Sequence, residues 1–84
     1  MLPSDIFTKS VIYKTITPYK KLRDYYKLRA DYVADMLGVS ISTLFSYERD
    51  GGRVPKQIIL HMDDLYKCKG QLVDYWLKND PSAS

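Results

Sequence analysis

Twenty residues, Ala30 to Arg49, constrain this 84-residue chain more than any other stretch. Asp31 opens a short helix carrying Tyr32, Val33, Ala34, Met36 and Leu37. Gly38 stops it, because the left-handed residue that closes a helix escapes a Cβ penalty only as glycine. Ser40 then caps another helix, running roughly from Ile41 to Arg49. Two helices meeting at so sharp a turn make strict local demands. A small residue must sit where the axes come closest, and Ala34 is there. A glycine must sit in the turn, and Gly38 is there. Val33, Leu37, Val39, Leu44 and Tyr47 supply the apolar side chains that have to point inward. Each feature alone also fits an αα-hairpin with no DNA role; their joint occurrence favours a helix-turn-helix over that hairpin.

The flanking sequence supplies three more helices. Thr17-Pro18 is a start signal, with Thr17 as N-cap and Pro18 at the first helical position. The helix that follows runs to about Leu28, with Leu22, Tyr25 or Tyr26, and Leu28 on its apolar stripe. The segment from Asp50 to Pro55 reads as a loop. Pro55 opens a fourth helix with Ile58, Ile59, Met62 and Leu65 at helical spacing. Cys68-Lys69-Gly70 breaks it, and Leu72, Val73, Trp76 and Leu77 stripe a fifth. The expected fold is therefore all-α, five helices around one core with Trp76 as its largest member. Residues 17–79 form the domain and 80–84 a frayed tail. Residues 1–16 form an N-terminal extension that reads either as a short helix capped by Ser4 or as a strand. The β-branched run from Ser10 to Thr17 favours the strand.

The size admits one core and no interdomain catalytic cleft. One cysteine, Cys68, excludes a disulfide framework, and with the single His61 it leaves almost no soft metal ligands. Asp63 and Asp64 are adjacent, so on a helix they point about 100° apart and make no acid/base pair. No phosphate-cradling glycine motif is present, and the eight tyrosines lack the regular spacing of a base-stacking platform. No enzyme, cofactor, metal or small-molecule substrate is expected. The N-terminus carries no secretory signal pattern, and no apolar run approaches the roughly 20 residues of a membrane helix. A soluble cytoplasmic protein is the expectation.

Net charge is only +3, but its distribution is uneven. Between Lys9 and Lys56 there are ten basic and five acidic residues, whereas the flanks are each weakly acidic. An anionic partner should meet the central part of the chain.

The span from about Tyr19 to Leu77 resembles the lambda-repressor-like, Cro-type (XRE-type) helix-turn-helix family. The likeness is strongest from Leu28 to Glu48, where L-x-x-x-x-(L/V)-A-x-x-L-G-V-S is followed by S/T-(I/L)-x-x-(I/Y)-E. The resemblance implies a five-helix DNA-binding domain, with the third helix in the major groove and the second across the backbone. Carried over by position, Ser40, Ile41, Ser42, Phe45 and Ser46 would face the bases. Arg29, Arg49, Arg53 and Lys56 would meet phosphates, with Lys20 and Lys27 as weaker candidates. Arg23 and Glu48 match the positions of an ion pair that holds the third helix in place. The chain also departs from the family. Its third helix has no Arg, Lys, Asn or Gln before Arg49, and Ala30 stands where the family often has Gln. Base reading would then rest on serine hydroxyls, apolar contact with thymine methyls and DNA shape.

The implied function is a sequence-specific regulator of transcription, bound as a homodimer to double-stranded DNA in the manner of a phage or mobile-element repressor. The second expectation is a protein-interaction module on the same fold, anti-repressor-like or antitoxin-like, using the Ile41/Phe45 face or the Val11–Ile16 segment. The dimer contact is assigned either to the extension or to the fifth helix.

Overall fold

A computed structural model describes residues 4–7, 17–49 and 53–83. Among these residues the protein is all-α, with five α-helices. They are α1 (Pro18–Tyr25), α2 (Ala30–Leu37), α3 (Ile41–Glu48), α4 (Lys56–Leu65) and α5 (Gln71–Asn79). Single 3-10 turns at Ser4–Phe7 and Pro81–Ala83 flank them. The Ser10–Ile16 stretch expected as a strand, and the glycines of the Asp50–Gly52 loop, lie outside the described residues.

Local chemistry sets most of the boundaries. Thr17 is extended, and its Oγ1 accepts from the Lys20 amide, with Pro18 beginning α1 as expected. Ser40 Oγ accepts from the Thr43 amide at 3.1 Å and caps α3. Gly38, at φ 73°, closes α2 through bonds from its own amide to Asp35 O and from the Val39 amide to Ala34 O. Two starts are shifted by one residue. Arg29, not Ala30, is the N-cap of α2, and Pro55 is the N-cap rather than the first residue of α4.

The expected continuation of α1 to Leu28 does not occur. The helix stops at Tyr25, and the chain closes it with the same double bond as at Gly38. The Lys27 amide reaches Asp24 O and the Leu28 amide reaches Arg23 O, both at 3.0 Å. The end of α4 repeats this closure, with Lys67 bonded to Asp64 O and Cys68 to Asp63 O. Lys27 and Lys67 thus occupy the left-handed position, at φ 56° and 55°, where glycine is the usual residue. Asp24-Tyr25-Tyr26-Lys27 and Asp64-Leu65-Tyr66-Lys67 share a pattern, and their structures meet. The Tyr26 and Tyr66 rings stack at 6.2 Å with a 6° interplanar angle, and Tyr26 Oη donates to Tyr66 O at 2.7 Å.

The core is a single cluster. Leu22 from α1, Val33, Ala34 and Leu37 from α2, and Leu44 from α3 meet Ile59, Met62, Leu72 and Trp76 from α4 and α5. Truncating one of its fully buried leucines to alanine should cost about 2–5 kcal/mol. Leu77 was expected on the α5 stripe, but it is exposed. Ile6, in the N-terminal 3-10 turn, is buried in the same cluster.

Asp80 to Ala83 are ordered against the domain and not frayed. Asp80 is buried, its Oδ2 accepts from the Val54 amide at 3.1 Å, and its Oδ1 accepts from the Ser82 amide at 2.7 Å. Composition alone suggests a loose tail; the buried carboxylate is satisfied by one amide two residues on and by one that is distant in sequence. Asp63 behaves likewise. By adjacency it pairs only with Asp64, yet it is buried and collects the amides of Gly70, Leu72 and Val73 at the start of α5. A carboxylate there stabilises the positive end of the helix dipole and pairs amides that lack partners inside the helix.

Candidate nucleic-acid interface

The turn between α2 and α3 has the geometry that Ala34 and Gly38 require. Ala34 is 2% exposed, and Leu37 and Leu44 are buried on either side of the turn. Val39 and Tyr47 pack partly buried against the core. With Leu44 and Glu48 facing inward, Ser42 and Ser46 lie on the opposite face of α3, Phe45 flanks them, and Ile41 continues the Leu44/Glu48 stripe at the open first turn. All four are exposed, Ile41 by 43% and Phe45 by 50%. An eight-residue helix in a small domain thus carries two large half-exposed apolar residues one turn apart.

The serines differ in what they have left to offer. Ser40 Oγ accepts from the Thr43 amide and donates to Thr43 Oγ1 at 2.8 Å, so capping occupies it. Ser42 Oγ lies 3.3 Å from Ser40 Oγ. Ser46 has no hydrogen-bond partner among the described residues and is the freest hydroxyl on the face.

Two grips from α1 hold the far end of α3. Arg23 forks onto the Glu48 carboxylate, Nε to Oε2 at 2.6 Å and Nη2 to Oε1 at 3.1 Å. Arg23 Nη1 also donates to Leu28 O at 3.2 Å, tying in the α1–α2 turn. The Glu48 side chain is 4% exposed and that of Arg23 12%. Hydrogen bonding to Glu48, outweighing the cost of burial, raises the Arg23 pKa further above its already high ordinary value. The second grip is Thr17 Oγ1, which donates to the main-chain oxygen of Glu48 at 2.6 Å. Sequence reading paired Arg23 with Glu48 but gave Thr17 only its capping role.

The cations expected at phosphates are all exposed, in three settings. Arg29 is paired with Asp31, Nε to Oδ1 at 3.2 Å and Nη2 to Oδ2 at 3.0 Å. Arg49 caps the C-terminal end of α3. Arg53 and Lys56 bracket Val54 and Pro55 at the entrance to α4. Arg49, Arg53 and Lys56 have no ion-pair partner among the described residues. Of the weaker candidates, Lys20 is bound to Asp24 at 2.8 Å, whereas Lys27 stands exposed at the α1 terminus.

The segment carrying Arg53 and Lys56 is anchored at Val54, which is fully buried. Trp76 Nε1 donates to Val54 O at 2.7 Å, and Asp80 Oδ2 accepts from Val54 N. No residue-level signal announced this clasp, because Val54 lies more than twenty residues from both Trp76 and Asp80.

No known protein family, characterised protein or solved structure matches the chain. Among the described residues, no group of His, Cys, Asp or Glu is arranged to hold a metal ion. None of their helices is long and apolar enough to cross a membrane.

Proposed function

We propose that this protein is a lambda-repressor-like, Cro-type DNA-binding regulator that docks α3 in the major groove of double-stranded DNA. The observation that carries the proposal is the exposure of Ile41, Ser42, Phe45 and Ser46 on a helix whose last turn is held by Arg23 and Thr17. A side chain can read a base edge only if the backbone beneath it is fixed, and two independent bonds to Glu48 supply that. Ser46 is the hydroxyl best placed to pair with a base edge. Ile41 and Phe45 offer the apolar surface that suits thymine methyl groups. Arg49, Arg53 and Lys56 supply charge for phosphates, as does Arg29 once it exchanges Asp31 for a phosphate.

The protein acts in the cytoplasm as a homodimer on two half-sites about one helical turn apart, about 34–36 Å. It binds rather than catalyses, and blocks or recruits polymerase from its operator. A repressor-like role on a phage, plasmid or other mobile element follows from the family resemblance alone.

Selection of bound duplexes from a random pool, followed by substitution, tests the reading. Arg53→Ala should weaken every sequence alike, whereas Ser46→Ala should lose about 1–3 kcal/mol of discrimination at a single base pair. A pool that yields no enriched sequence contradicts base reading by α3.

The half-exposed Phe45 favours one second reading, in which the same face binds a protein partner. Phe45→Ala would then abolish a protein complex while Ser46→Ala changed nothing.

A further inference from the structure

The segment Arg53–Lys56 alternates in burial: Arg53 exposed, Val54 fully buried, Pro55 and Lys56 exposed. A backbone stretch leading out of a loop would ordinarily be free to move, and its cations with it. Here both polar main-chain atoms of Val54 are held by side chains from beyond the start of α5. The Trp76 indole donates to its carbonyl, and the Asp80 carboxylate takes its amide. The whole junction is dry, with Trp76 at 5% and Asp80 at 8% exposure. Removing either partner strands a buried polar atom, which costs far more than an exposed bond is worth. Four chain steps separate Arg53 from Arg49 at the end of α3, so the two Cα atoms lie within about 14 Å. Chain length thus keeps Arg53 near the end of α3, and the clasp holds the backbone that lies between Arg53 and Lys56.

We propose that Trp76 and Asp80 are positioning residues that aim Arg53 and Lys56 at the DNA backbone, so that the C-terminal turn is part of the binding machinery. This inference rests on the DNA-binding reading. It adds a claim which that reading does not require, namely that contacts remote from any nucleic acid set the strength of phosphate binding. Neither residue touches DNA in this account; both act through the backbone of Val54.

The test is a double-mutant cycle, read as the anisotropy of a labelled mixed-sequence 20-base-pair duplex at ~100 mM salt. Trp76→Phe keeps an aromatic ring in the core and removes the Nε1–H donor along with part of the indole's volume, a packing loss that the cycle separates from an effect on the cations. It should weaken binding about fivefold or more in the otherwise unaltered protein, and less than about twofold in an Arg53→Ala/Lys56→Ala background. A residue that merely supports the fold would lower affinity by the same factor in both backgrounds, and that result overturns the proposal. Asp80→Ala serves as the second entry to the cycle if Trp76→Phe does not fold, with helicity of each variant checked by circular dichroism. Equal affinity of unaltered protein and Trp76→Phe also overturns it. Absence of any duplex binding by the unaltered protein at ~50 mM salt defeats the DNA-binding reading and the clasp with it.

Discussion

Thr17 and Glu48 stand 31 residues apart, yet the Thr17 hydroxyl is bonded to the Glu48 carbonyl at 2.6 Å. One side chain therefore serves two helix ends. It accepts from the Lys20 amide to cap α1 and donates to the last turn of α3. Thr17→Val keeps the shape and loses both bonds. It should cost about 2 kcal/mol in denaturant unfolding, with Thr17→Ser within about 0.5 kcal/mol of the parent protein. A Thr17→Val loss no larger than that of Thr17→Ser would show that the hydroxyl bonds contribute no more than the methyl group.

Arg23 should be the more costly deletion. Arg23→Met leaves the Glu48 carboxylate buried with no cation, a situation that typically costs about 3–5 kcal/mol. Arg23→Met/Glu48→Leu removes the stranded charge as well and should recover much of the loss. A double variant as unstable as the sum of its parts would rule out a coupled pair.

Alkaline pH should destabilise the protein through three groups buried as neutral acids. Burial first, and nearby Asp63 second, push the Cys68 thiol from 9.0 up to about 12. Burial likewise raises Tyr19 and Tyr66 well above the ordinary 10.0. The native state thus holds protons that the unfolded chain releases. Stability from these groups is fully present below about pH 9 and falls as pH rises through the unfolded values. Melting temperature should be flat from neutral pH to about pH 8.5 and then decline. Cys68 should resist alkylation at pH 8 until the protein is unfolded; modification at the rate of a free thiol in the folded state would contradict the account.

Lys27 and Lys67 hold left-handed conformations that glycine adopts without penalty. Lys27→Gly and Lys67→Gly should each raise stability by about 0.5–1 kcal/mol, despite the greater freedom glycine has in the unfolded chain. A loss of stability in both would mean that the lysine side chains contribute more at these helix ends than their backbone strain costs.

These sites also mark the limit of what the sequence discloses. The α2–α3 turn was legible because its determinants are local: Ala34, Gly38 and Ser40 each meet a geometric demand within a few residues. The Thr17-Pro18 start was legible for the same reason. The end of α1 was not, because lysine at Lys27 carries no stop signal; only the closure by the Lys27 and Leu28 amides ends the helix. Nothing in the sequence marked Asp63 and Asp80 as buried acceptors, since the amides they collect are brought to them by the packing of α4, α5 and Val54. On the candidate site, the Arg23–Glu48 pair and the outward residues of α3 were placed by the family resemblance, position by position. The sequestering of Ser40 by its cap, of Arg29 by Asp31, and the hold of Trp76 on Val54 required the folded structure.

Duplex binding as a function of salt tests the central claim most directly. If Arg29, Arg49, Arg53 and Lys56 each neutralise one phosphate, the logarithm of affinity should fall linearly with the logarithm of salt concentration. The slope should be about −3 to −4 per protomer, at about −0.9 per phosphate. Binding that does not change with salt, or no binding at ~50 mM salt, would contradict the account.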